Sequence, residues 1–68
     1  MTPDELRDLR QRLGLTQGHA ARMVGVDPRA WRRWEAGDRT PPESAIRLML
    51  CVERWETVQE FLEELNGE

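Results

Sequence analysis

Residues 27–37 read Asp-Pro-Arg-Ala-Trp-Arg-Arg-Trp-Glu-Ala-Gly. Asp27 is a good helix cap, because its carboxylate can accept from the free N–H groups of a first turn. Pro28 suits the first helical position, where a missing N–H is no loss. Gly37 is a natural left-handed stop. Between them the spacing predicts a helix of about two and a half turns. Its sides have opposite chemistry. Trp31 and Trp34 are three apart, with Ala30 beside them, whereas Arg29, Arg32 and Arg33 stand at i, i+3 and i+4 on the other face. Indoles at helical spacing are expected to pack inward. The guanidinium groups are then left outward.

Upstream, Thr16 caps a second short helix over residues 17–24, with Ala20, Ala21, Met23 and Val24 as its buried side. Gly18 lies inside that helix and costs about 1 kcal/mol relative to alanine; it either gives room for a close backbone approach or is simply tolerated, and the second reading is preferred. Gly25 supplies the turn and Val26 leads into the helix after it. Two short helices joined by a tight glycine turn form the helix-turn-helix pattern. Earlier still, Thr2-Pro3-Asp4-Glu5 has the spacing of a capping box. Leu6, Leu9 and Leu13 follow as one apolar stripe, and Gly14 ends that helix. Arg10 lies on the stripe, and Glu35, four residues after Trp31, borders the inner side of its own helix. Inward charges need opposite partners. The expectation is that Arg10 and Glu35 pair and tie the first helix to the third.

Downstream, Asp38-Arg39-Thr40-Pro41-Pro42 is a turn-rich loop. Pro42 opens the next helical segment, and no Gly or Pro occurs from 43 to 65. Ala45, Ile46, Met49 and Leu50 begin an apolar face. Cys51, Trp55, Val58, Leu62 and Leu65 recur at +4, +3, +4, +3, the spacing of a short a/d seam that Phe61 widens. The stretch is one long helix or two with a break near 53–56. Glu60, Glu63 and Glu64 take the outer side, and Asn66-Gly67 is a stop. The seam has two uses, covering the domain's own core and meeting a second copy, and both are expected. Trp55, Val58, Phe61, Leu62 and Leu65 are the candidate dimer interface. The fold expected is all-α, a compact four- to five-helix domain spanning 1–68, with 53–66 as a C-terminal packing or dimerisation helix.

Sixty-eight residues make one small domain, whose core alone is marginal. A single cysteine, Cys51, excludes an internal disulfide and suits a reducing cytoplasm; it reads as a small buried hydrophobe. The longest apolar run, 48–52, is far short of a membrane span, and the N-terminus lacks a signal-peptide pattern. Net charge is −3, but it is unevenly placed. Residues 1–42 hold eight Arg against six acids, and residues 43–68 two Arg against seven Glu. Screening confines exposed charges to roughly 8 Å at physiological salt, so an acidic tail does not veto a basic face elsewhere. All ten basic residues are Arg, which reads as a compositional habit.

A helix with inward tryptophans and outward arginines suits the major groove of DNA, where arginine pairs bidentately with guanine. Arg29 and Arg33, four apart, can address neighbouring bases, while Arg32 leans toward a phosphate edge. Arg39 and Thr40 suit phosphate oxygens, which position a protein without carrying sequence information. Arg22 and Arg12 are weaker candidates, and His19 reads as surface or phosphate-adjacent.

Taken together, Thr16-Gln17, Ala21, Gly25-Val26, Trp34-Glu35, Gly37 and Pro41 resemble the lambda-repressor/Cro-like, Xre-type helix-turn-helix family over residues 3 to about 52. The resemblance implies a third helix in the major groove, with the positions of Arg29, Arg32 and Arg33 reading bases. It implies that Gln17 binds phosphate at the start of the second helix, and that Arg10 and Glu35 fall where some members carry an interhelical pair. Pro28 departs from the pattern: many relatives have a polar base-reading side chain there, and proline offers only apolar contact, as to a thymine methyl. The stretch 29–37 is also similar to small phage regulators that repress anti-CRISPR operons.

The function expected is a dimeric repressor, acting on its own operon through an inverted-repeat operator. The alternative is an antitoxin-like or adaptor module that binds another protein through the acidic C-terminal helix. One His, one Cys and no Tyr or Lys leave little for catalysis, and no zinc set or phosphate-cradling loop occurs, so neither an enzyme nor a cofactor or metal site is expected. No small-molecule effector is implied, and an acidic amphipathic tail disfavours a membrane surface.

Overall fold

The computed structural model describes residues 1–66, with side chains to Trp55 and at Glu63 and Glu64. The described chain is all-α. Its elements are α1 (Pro3–Arg12), α2 (Gln17–Val24), α3 (Pro28–Ala36) and α4 (Glu43–Asn66). Local chemistry sets nearly every boundary. Thr2 and Glu5 form a reciprocal capping box: the Glu5 N–H donates to Thr2 Oγ1 at 3.1 Å and the Thr2 N–H to Glu5 Oε1 at 3.0 Å. That donation from Thr2 holds the Glu5 carboxyl below its usual range. Thr16 Oγ1 accepts from the His19 N–H at 3.1 Å, and Asp27 Oδ1 from the Arg29 N–H at 2.8 Å. Gly25 (φ +78°) and Gly37 (φ +83°) close α2 and α3 in the left-handed region, where a Cβ is strained. Around Gly25 the Val26 N–H returns to the Ala21 carbonyl at 2.9 Å, so the turn into α3 is tight.

The core is Leu6 and Leu9 of α1, Ala20 and Ala21 of α2, Trp31 and Trp34 of α3, and Ala45 and Met49 of α4. Leu13, Leu15, Val24, Val26, Ala30 and Ile46 are partly buried around it. The two indoles meet tilted at 53°, with ring centroids 5.5 Å apart. Among the described residues each of the four helices thus gives two buried apolar side chains, and α3 lies against both α1 and α2.

Three core expectations fail. Met23 is exposed: Ala20 and Ala21 already form the packed edge of so short a helix, which leaves Met23 at the rim. Leu50 and Cys51 are exposed as well, because Ala45 and Met49 set the inner line of α4 and the next residues turn away from it. Gly18, by contrast, fits its reading as tolerated: it has open space around it, with Thr16 Oγ1 at 4.0 Å from where a Cβ would stand, so no close backbone approach demands glycine.

Residues 43–66 form one helix without a break, 24 residues or about 36 Å long. Ala45 and Met49, its buried residues among those described, sit in the first two turns. The molecule accordingly measures 48 Å along its long axis and 20 by 18 Å across.

Candidate nucleic-acid interface

Two opposite faces of α3 define the site. Inward, Trp31 is fully buried, and Trp34 and Glu35 nearly so. Outward, Arg29, Arg32 and Arg33 are exposed. None of the three has a carboxylate partner among the described residues. Arg39 is carried from the end of α3, since the Asp38 and Arg39 N–H groups both donate to the Arg33 carbonyl, at 3.0 and 3.3 Å. Arg39 and Thr40 are exposed beside a small cleft where the start of α1 meets this loop. Arg22, in the last turn of α2, is exposed and unpaired among the described residues, and His19 is exposed in the first turn.

Pairing sorts the arginines by position. Arg7, Arg10, Arg12 and Arg47 each hold a carboxylate. Arg22, Arg29, Arg32, Arg33 and Arg39, on α2, α3 and the loop after it, hold none among the described residues, and neither does Arg54 on α4. Arg7, Arg10 and Arg12 tie helices together, Arg47 pairs with Glu43 one turn before it on α4, and the second group leaves positive charge unneutralised on α2, α3 and the loop after it.

Glu35 is the hub behind that side. Arg10 donates to it bidentately, Nε to Oε2 at 2.7 Å and Nη2 to Oε1 at 3.0 Å, and also donates from Nη1 to the Leu15 carbonyl at 3.0 Å. Arg7 Nε lies 3.5 Å from Oε1. The Trp31 indole N–H donates to Oε2, and the half-buried Gln17 amide faces the same carboxylate. Burial pushes the Glu35 carboxyl up, but the bonds from Arg10 and Trp31, the facing Gln17 amide and the Arg10 charge outweigh it and hold the pKa below its ordinary value. No buried side-chain nitrogen or oxygen among the described residues lacks a partner.

Sequence reasoning missed the Arg7 and Trp31 contributions. The signal was present: Arg7 precedes Arg10 by three and Trp31 precedes Glu35 by four, both same-face spacings. It also missed Arg12, whose Nη2 lies 3.0 Å from Glu53 Oε2 and ties α1 to α4. That guanidinium is therefore engaged away from α3. Trp55 is 63% exposed and, with Cys51, does not cover the core. Val58, Phe61, Leu62 and Leu65 lie outside the residues whose side chains are described. Among the described residues there is no group of side chains that could hold a metal ion, and no helix long and apolar enough to cross a membrane.

A short helix pinned to the core by indoles, entered from a second helix through a glycine turn and showing unpaired arginines, is the architecture of a helix-turn-helix DNA-binding domain. The chain belongs to that family, in its Xre-type branch: the family model for the helix-turn-helix domain matches residues 4–52. The chain is also similar to antitoxin HigA-2 of Vibrio cholerae, with 30% identity over 54 residues, covering 79% of this chain and 52% of the relative. The chain thus spans about half the length of that relative.

Proposed function

We propose that this chain is a sequence-specific regulator of transcription that binds double-stranded DNA as a dimer and represses its own operon by occluding an inverted-repeat operator. The observation that carries this reading is the face of α3 opposite the buried indoles, where Arg29, Arg32 and Arg33 stand exposed without carboxylate partners. In the major groove, Arg29 and Arg33 take guanine O6 and N7, and Arg32 takes a base or the phosphate edge. Pro28 offers apolar contact to a thymine methyl. Gln17, His19, Arg22, Arg39 and Thr40 hold the phosphate backbone on either side and fix the register of α3. Two copies related by a twofold axis read half-sites about one helical turn apart.

The antitoxin relative favours a second role beside the first: the acidic C-terminal half of α4 as a surface for another protein. Selection of bound duplexes from a random pool separates the two. Enrichment of an inverted repeat with guanines at the contacted positions supports the repressor. Weak, sequence-independent binding that salt does not change overturns it and leaves the protein-binding role.

A further inference from the structure

α4 carries two apolar faces, and the fold uses one. Ala45 and Met49 are buried in the core. Leu48, Cys51 and Trp55, spaced by three and four, are all exposed, Leu48 at 41% and Trp55 at 63%. At 3.6 residues per turn these three fall within about 60° of one another, about 100° or more from Met49 and about 60° or more from Ala45. In the sequence the same row continues to positions 58, 62 and 65, all apolar. The steps are 3, 4, 3, 4, 3, a heptad a/d row that reads the same in both directions.

We propose that this outer row is a self-docking surface that takes α4 of a second copy antiparallel, with position 48 of one protomer level with 65 of its partner, 51 with 62, and 55 with 58. The proposal rests on the dimer reading above and adds its interface and direction. In that register every a position meets a d position. Charge decides the direction. Residues 43–54 hold Glu43, Arg47, Glu53 and Arg54, with no net charge, whereas 55–68 hold Glu56, Glu60, Glu63, Glu64 and Glu68 and no base. A parallel pair sets five carboxylates beside five over the same turns. The antiparallel pair sets each acidic half beside the half that contains the arginines. It brings the exposed Arg47 within about 3 Å, along the axis, of the level of the partner's exposed Glu64. It also offsets the two globular heads by about 26 Å along the pair, on the scale of the roughly 34 Å between half-sites.

The native cysteine reports the direction. Sedimentation of the full chain is expected to give a dimer. In that dimer the two Cys51 positions lie about 16 Å apart along the axis, beyond disulfide reach. Mild oxidation of the native chain is therefore expected to leave it uncrosslinked. Leu62→Cys is expected to crosslink through Cys51 of one protomer and the introduced thiol of the other, as peptide mapping would read. A disulfide between two Cys51 side chains in the native dimer overturns the antiparallel register and spares the dimer. A monomer at all concentrations overturns both. Should Leu62→Cys not fold, nitroxides on the native Cys51 decide: a separation above about 16 Å supports the register, and one near the 10 Å interhelix spacing overturns it.

Discussion

Arg10 grips Glu35 with both edges of its guanidinium, Nε at 2.7 Å from one carboxylate oxygen and Nη2 at 3.0 Å from the other. The pair crosses from α1 to α3, one turn along from the buried Trp31 indole that donates to the same carboxylate. Its position gives it a part in presenting the arginines. A helix of nine residues is held on its inner side by two indoles and the ion pairs of Glu35, which fixes how Arg29, Arg32 and Arg33 point on the other.

Breaking that pair from one side strands a buried charge. Arg10→Met is expected to cost about 3–5 kcal/mol in urea unfolding. Arg7→Met, which removes a half-exposed guanidinium at 3.5 Å, should cost under about 1 kcal/mol. Equal losses for the two would mean that the bidentate geometry contributes nothing beyond charge.

Acid should reach the same site. Glu35 titrates lower in the folded chain than its ordinary value near 4.5. A depressed carboxyl contributes stability that is fully present above its unfolded pKa and is lost as pH falls through the folded one. The melting temperature should therefore hold steady near neutrality and decline below about pH 4.5, with a shallower decline in Glu35→Gln. A wild-type decline no steeper than that of the variant would remove Glu35 from the account.

The caps and turns were legible in the sequence because they are local. Thr2 with Glu5, Thr16, Asp27, Gly25 and Gly37 each act on backbone within a few residues, so spacing alone locates them. The Arg10–Glu35 pair was legible for another reason: each charge lies on an apolar stripe and needs a partner there. The faces of α4 were not legible. Apolar residues line two of its sides, so periodicity cannot say which one meets the core. Cys51 and Leu50 were read as inward on that ground, and both are exposed. Continuity of α4 past 53–56 was equally undecidable, since neither Gly nor Pro marks a break and length alone does not forbid one.

Arg29 and Arg33 should behave as readers of sequence. Each change to Ala is expected to weaken operator binding by about 1–3 kcal/mol and to relax preference at one base pair per half-site. Competition between operator and random duplex checks this. Equal loss on both would reassign the residue to phosphate.

Gln17, Arg39 and Thr40 should behave otherwise. Arg39→Ala is expected to weaken binding to all sequences alike and to reduce the slope of log affinity against log salt by about 1. Gln17→Ala should show the same uniform loss with little change in that slope, because its amide carries no charge. A loss confined to particular base pairs would contradict the positioning role.

Trp55→Glu separates assembly from folding. Trp55 is 63% exposed, so the substitution should leave the melting temperature of the single domain almost unmoved, within about 0.5 kcal/mol in stability. Met49→Glu, at a fully buried site, is the contrast and should unfold it. If the outer face of α4 joins two copies, Trp55→Glu sediments as a monomer. It then loses on the order of 100-fold in affinity for a two-half-site duplex, while affinity for one isolated half-site is unchanged. A folded Trp55→Glu dimer with full operator affinity would place the contact between copies on another surface.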